Sequence, residues 1–263
     1  MLAVSTRMSL VMASKASEDK IWARLYQEVS ELKRSLPEDA QAKHRGFSIF
    51  FAPPRKHRLL VLGLNPSRVD DQYAKRYPES ELGPPTEHLY QSARGGELAR
   101  ALRSMLDEAS LGDSTLPVDT AWTTLLSGTK INLIFFGSAN ISEWQQKKFW
   151  GSSGGSLRKK VEGQCQVWSQ AICAWLSPTG ILCEGFDTFS RFCNLGYGKV
   201  SVERTVNRPG REKHRLFVEG HVEMSGQTVP VLGILHPAGG RGRTKQESSL
   251  IGEALVRFCE KAI

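Results

Sequence analysis

Two short aliphatic runs, Leu59-Leu60-Val61-Leu62-Gly63-Leu64 and Val231-Leu232-Gly233-Ile234-Leu235, each stop at a polar residue followed by proline. Runs of this length without polar alternation predict strands buried on both faces, as in a parallel sheet flanked by helices. Proline ends each strand because it has no N–H for the ladder. Two further runs, 130–136 and 180–186, predict two more core strands, the second turning at Gly185 into a helix over 188–195. Between Val200 and Val231 the pattern shortens to alternating runs separated by Asn207-Arg208-Pro209-Gly210 and Ser225-Gly226, which predicts antiparallel hairpins. Gly46 to Phe51 reads as a short edge strand.

Helical spacing recurs in four places. Ile21, Leu25, Val29 and Leu32 predict a helix over 17–36, stopped by Pro37, and Leu98, Leu102, Met105 and Leu106 predict one over 96–110. A helix over 161–176 should bury Val167, Ile172 and Leu176, and a closing helix over 246–261 should bury Leu250, Ala254 and Phe258. Strands alternating with helices predict an α/β fold: a three-layer α/β/α sandwich with a central, mainly parallel four-stranded sheet and a marginal antiparallel hairpin region. Residues 17–263 read as a single domain and 1–16 as a flexible leader in which Met8 and Met12 are alternative starts. The polar stretch 68–97, with Tyr73, Tyr77, His88 and Tyr90, is long enough to be a functional loop.

Composition narrows the classes. With 263 residues, 40% hydrophobic and 24% charged, the chain can bury a sizeable core. No apolar run approaches the roughly 20 residues that span a bilayer, so no membrane partner is expected. Five cysteines with no CxxC pair argue against zinc or an iron–sulfur cluster and for free thiols in the cytoplasm. A net charge of +8 favours a polyanionic partner.

Asn65 and His236 would stand just past the carboxyl ends of two core strands, the edge where open α/β sheets bind ligands. Gly63-Leu64-Asn65-Pro66-Ser67 resembles the first motif, Gly-x-Asn-Pro-Gly, of the mismatch-specific and single-strand-selective branches of the uracil-DNA glycosylase superfamily. His236-Pro237 with its small, flexible loop resembles the second motif. Asn132 resembles the asparagine that reads the pyrimidine edge at the end of the second strand, and Gly185 fits a strand–glycine–helix element. The resemblance runs from Leu59 to Phe258. It departs at Ser67 for glycine, at Ala238-Gly239 for Ser-Pro, and in lacking a proline after Asn132. These departures bear on the target base more than on the fold.

The resemblance implies a monofunctional DNA glycosylase without metal or cofactor. It would flip a base out of DNA, single- or double-stranded, and hydrolyse its N-glycosidic bond. Asn65 would hold the attacking water, and His236 would donate to the departing base oxygen. Asn132 offers a donor and an acceptor to a uracil-like edge, and Tyr73 or Tyr77 would stack on the base. Arg241 or Arg243 would enter the base stack beside Lys245, while Lys147 and Lys148 would extend the phosphate track. Uracil is the default substrate, with a bulky phage pyrimidine such as glucosylated hydroxymethylcytosine as the rival, so repair and antiviral defence both fit. No obligate protein partner is implied. The alternative is a catalytically silent nucleic-acid-binding module on the same fold. A nucleotide-binding loop at Gly151–Gly155 is set aside because the GxxxxGK[ST] string is absent.

Overall fold

The aliphatic runs become the middle of one sheet. The computed structural model describes residues 15–41, 46–64, 83–91, 96–110, 115–137, 141–195, 199–239 and 243–263. Strands β1 (Leu59–Gly63) and β3 (Gly180–Glu184) are buried along their whole length. β1 pairs in parallel with β2 (Thr129–Asn132) and with β3, and β3 pairs in parallel with β6 (Gln227–Ile234). β5 (Arg211–Met224) runs antiparallel to β6, and β4 (Ser201–Arg208) antiparallel to β5. The order is β2-β1-β3-β6-β5-β4. The hairpin strands expected at the sheet's margin are therefore part of it, making a mixed sheet of six strands.

Side chains alternate between two buried clusters, as the period of two along a strand requires. Leu60, Leu62, Ile181, Cys183 and Val231 join a cluster with α1 (Lys15–Ser35), the short helices α2 (Glu38–Gln41) and α5 (Ile141–Gln145), α6 (Gly154–Leu176) and α7 (Phe186–Cys193). Leu59, Val61, Leu182, Leu232 and Ile234 join another with α3 (Gly96–Asp107), α4 (Val118–Ser127) and α8 (Lys245–Ala262). Each such burial contributes about 1.5–3 kcal/mol.

Three expectations change. The run over 130–136 ends as a strand at Asn132; beyond it the N–H groups of Leu133 and Ile134 still reach the carbonyls of Gly63 and Leu64 as the chain turns away. The edge strand at Gly46–Phe51 reduces to two isolated bridges, Phe47 with Phe136 and Phe50 with Ile131. Val167 is 52% exposed, because α6 turns Trp168, Ile172, Cys173 and Trp175 toward the core instead. No described helix is long and apolar enough to cross a membrane.

Candidate active site

At the carboxyl edge of the sheet, one row of residues has lost its aliphatic character. Gly63 lies opposite Asn132 in β2, and one step beyond the Leu62–Cys183 pair it neighbours Glu184 in β3, which lies opposite Ile234. The row faces α3, α4 and α8, since Val61, two residues before Gly63, belongs to their cluster. Because Gly63 has no side chain, the Asn132 amide can lie over it toward Glu184. A Cβ on Gly63 would overlap Asn132 Oδ1 and come within 3.8 Å of Glu184 Oε2.

Beneath this row is a buried charge pair absent from the sequence reading. Lys130, level with Val61, extends across β1 so that its ammonium meets Glu184 Oε2. Both residues are 2% exposed. The Tyr90 hydroxyl donates to Glu184 Oε1, and Lys130 Nζ lies 3.4 Å from the Tyr90 oxygen and 5.1 Å from its ring centre. Burial lowers the Lys130 pKa, with Glu184 opposing the shift, and burial beside Glu184 pushes the Tyr90 phenol well above its usual value.

Tyr90 is held from two sides. Its ring stacks on Trp122 at 6.0 Å, and its N–H donates to His88 Nδ1 at 3.1 Å. Accepting there fixes His88 as the neutral Nε2–H tautomer. Burial, with the positive charges of Lys130 and Arg55, pushes the His88 pKa down to about 3. Its Nε2 is buried without a hydrogen-bond partner among the described residues.

His236 lies two residues past β6. Its side chain rests against Gly185, where an added Cβ would be 3.5 Å from His236 Cβ. Gly185 has φ 102°, a backbone region that side chains rarely adopt, and its N–H bonds to Ile234 O at 2.9 Å. His236 is solvent-exposed at the rim, yet desolvation by the packed chain beside it lowers its pKa. Glu184 and Glu97 oppose that shift, and Lys130 and Arg243 reinforce it. Its imidazole is therefore neutral at pH 7.

Glu184 thus stands between two of the expected site residues, with Asn132 across Gly63 and His236 across Gly185. Asn132, the last residue of β2, is 5% exposed. Asn65, Tyr73, Tyr77 and Arg241 lie outside the described residues. The expectation that Asn65 and His236 follow two core strands gains one detail: β3 lies between β1 and β6.

The remaining expected contacts are not gathered here. Arg243 is half-buried and turned inward, its Nη2 donating to the carbonyls of Pro237 at 2.7 Å and His236 at 3.3 Å. It braces the His236-Pro237 turn. Lys245 is exposed and pairs with Glu108 at 3.4 Å. Lys147 and Lys148 are exposed in a 3-10 stretch, Lys147–Ser153, whose Phe149 and Trp150 pack into the α1–α6 cluster on the opposite face from Asn132. A cavity of about 480 Å³ also opens on that face, beside Leu133, Lys159, Glu162 and Arg191. It touches neither Asn132 nor His236.

The buried pair had a readable but misleading signal. Lys130 stands near the start of β2 and Glu184 closes β3, so each reads by itself as an ordinary polar residue near a strand end. Only the register across β1 shows that they meet. Among the described residues no group of His, Cys, Asp and Glu could hold a metal ion. The five cysteines form no disulfide, and four are buried. No protein-family model matches this sequence, and no curated protein matches it at a significant level.

Proposed function

We propose that this chain is a monofunctional DNA glycosylase that flips a uracil-like base to the carboxyl edge of the sheet and hydrolyses its N-glycosidic bond. One observation carries the reading: Asn132 and His236 flank the same buried Glu184, with the Asn132 amide lying over the bare Cα of Gly63 on the side toward Glu184. An amide that both donates and accepts suits the O4/N3 edge of uracil. A neutral imidazole can donate to the oxygen on which the departing base gathers negative charge, and a preorganised donor of this kind contributes about 2.7–4 kcal/mol. Lys130 cancels the charge of Glu184, so the floor presents no net negative charge to the developing anion.

Asn65, next but one to Gly63, is the residue proposed to hold the attacking water. Lys130 is committed to Glu184 and offers no free amine to the sugar, consistent with base release without strand cleavage. The surrounding layers fit a three-layer sandwich with four parallel strands at its centre. The deep burial of Asn132 favours a small planar base over a glucosylated cytosine, and repair over antiviral defence.

The test is base release from matched DNA carrying uracil or glucosylated hydroxymethylcytosine, single- and double-stranded, by the wild type, His236→Ala and Asn132→Ala. Release from uracil DNA that falls about 10²–10³-fold in His236→Ala is the expected result. No abasic product from any substrate at high enzyme concentration, with DNA still bound, would establish the silent binding module instead.

A further inference from the structure

The register of the antiparallel strands fixes where the β4–β5 hairpin ends. Phe217 lies opposite both Val206 and Ile234, the last residue of β6, and Leu235 N–H donates to Leu216 O at 2.9 Å. Residues 207–216 therefore extend past the end of β6, at the rim where His236 lies. This segment carries Arg208, Arg211, Lys213, His214 and Arg215 against a single acid, Glu212.

Two of these cations fasten the hairpin end. Arg208 grips Glu247 through two hydrogen bonds of 2.7 and 3.0 Å, at the first turn of α8. Arg215 places its guanidinium 5.2 Å from the ring centre of Phe186, the first residue of α7. The hairpin end is thus tied to the helices that follow both rim turns. Arg211, Lys213 and His214 are exposed, and among the described residues Arg211 and Lys213 make no ion pair.

We propose that this hairpin end is a DNA-binding finger, with Arg211 and Lys213 contacting phosphates of the strand whose base enters the site. The proposal rests on the glycosylase reading above and extends it. Cations held on an anchored turn bind phosphate with little loss of backbone freedom, whereas cations on an unanchored loop must be ordered first. DNA is favoured over an acidic protein because the finger rises from the same rim as the base-binding candidates. A substrate that reaches Asn132 and His236 must carry its flanking phosphates past it.

The experiment measures binding of uracil-containing duplex and single-stranded DNA by the full chain across a range of salt concentrations. Wild type is compared with Arg211→Gln/Lys213→Gln, with Lys213→Gln alone, and with Arg58→Gln, an exposed arginine at the amino end of β1 on the opposite edge. The double variant should lose about tenfold or more in duplex affinity, and its log–log salt slope should shrink by about 1.8, roughly 0.9 for each phosphate contact removed. The single variant should show about half that change in slope, and Arg58→Gln none. Unchanged affinity and slope in a folded double variant, beside a wild type that binds DNA, would overturn the finger and leave the glycosylase reading standing. A wild type that neither binds DNA nor releases a base removes both.

Discussion

Glu184 accepts a hydrogen bond from Tyr90 and an ion pair from Lys130, and Asn132 and His236 are arranged on either side of it. Removing one partner of a buried pair leaves an uncompensated charge, which costs about 3–5 kcal/mol, whereas replacing both with apolar groups is often neutral. Lys130→Met should therefore lower unfolding stability by about that amount, and Lys130→Met/Glu184→Leu should recover most of it, as read by urea denaturation. Equal losses in the two variants would show that the pair is not coupled. Gly63→Ala tests the seating of Asn132 directly: its methyl must displace the Asn132 amide, and misplacement of this order costs about a hundredfold in rate. On the proposed glycosylase reading base release should fall accordingly, and the overpacking should lower stability by about 1–3 kcal/mol while leaving the chain folded. Wild-type release from this variant would remove Asn132 from the base-binding role.

His88 gives the residue scale its pH signature. Its pKa is about 3 in the fold against 6.5 as the ordinary value, so between those limits the unfolded chain binds a proton that the folded chain does not. Its contribution to stability is complete above pH 6.5 and is lost as pH falls toward 3, by about 1.4 kcal/mol per pH unit. His88→Asn keeps an acceptor for the Tyr90 N–H and does not titrate. Its stability should decline less steeply than that of the wild type between pH 6 and 4, and parallel curves would refute this account.

Among the elements, β1, β3 and β6 were legible because each is a short aliphatic run closed by glycine, proline or a polar residue. Leu133 to Phe136 was not. Its hydrophobic residues are all buried, but their backbone leaves the ladder to meet Gly63, Leu64 and Phe47, and a run of apolar residues records burial without recording hydrogen-bond partners. α8 shows the opposite case, since Thr244 and Glu247 form a reciprocal capping box that the Thr-x-x-Glu spacing already contains. Glu247 also holds Arg208, so this cap joins the helix to the hairpin end. Across β6, the turn to His236 delivers a neutral imidazole. On the proposed glycosylase reading, the single-turnover rate of base release should therefore stay level from about pH 7 to about pH 9. A tenfold fall per pH unit in that range would mean that the imidazolium is the working form.

At the scale of the whole molecule, sequence patterning located the carboxyl edge but not the connections across it. His236 was found as a polar residue past the end of a strand, whereas Asn132 was found through the resemblance, inside a run read as a strand as far as Phe136. Their common neighbour Glu184 was hidden, because a residue's partners across a sheet depend on strand order. The net charge of +8 was visible at once, whereas the placing of Arg208, Arg211, Lys213 and Arg215 at the rim beside His236 required the register of β5 against β6.

That strand order also constrains how the protein is made. β3 sits between β1 and β6, yet β6 begins only at Gln227. On the ribosome, β3 can join β1 and β2 while its other side waits, with free N–H and C=O groups, for a strand not yet translated. A nascent chain halted anywhere before that point carries Asn132 and Glu184 but also an open, sticky edge. Premature termination in this interval should therefore yield aggregates rather than a folded fragment.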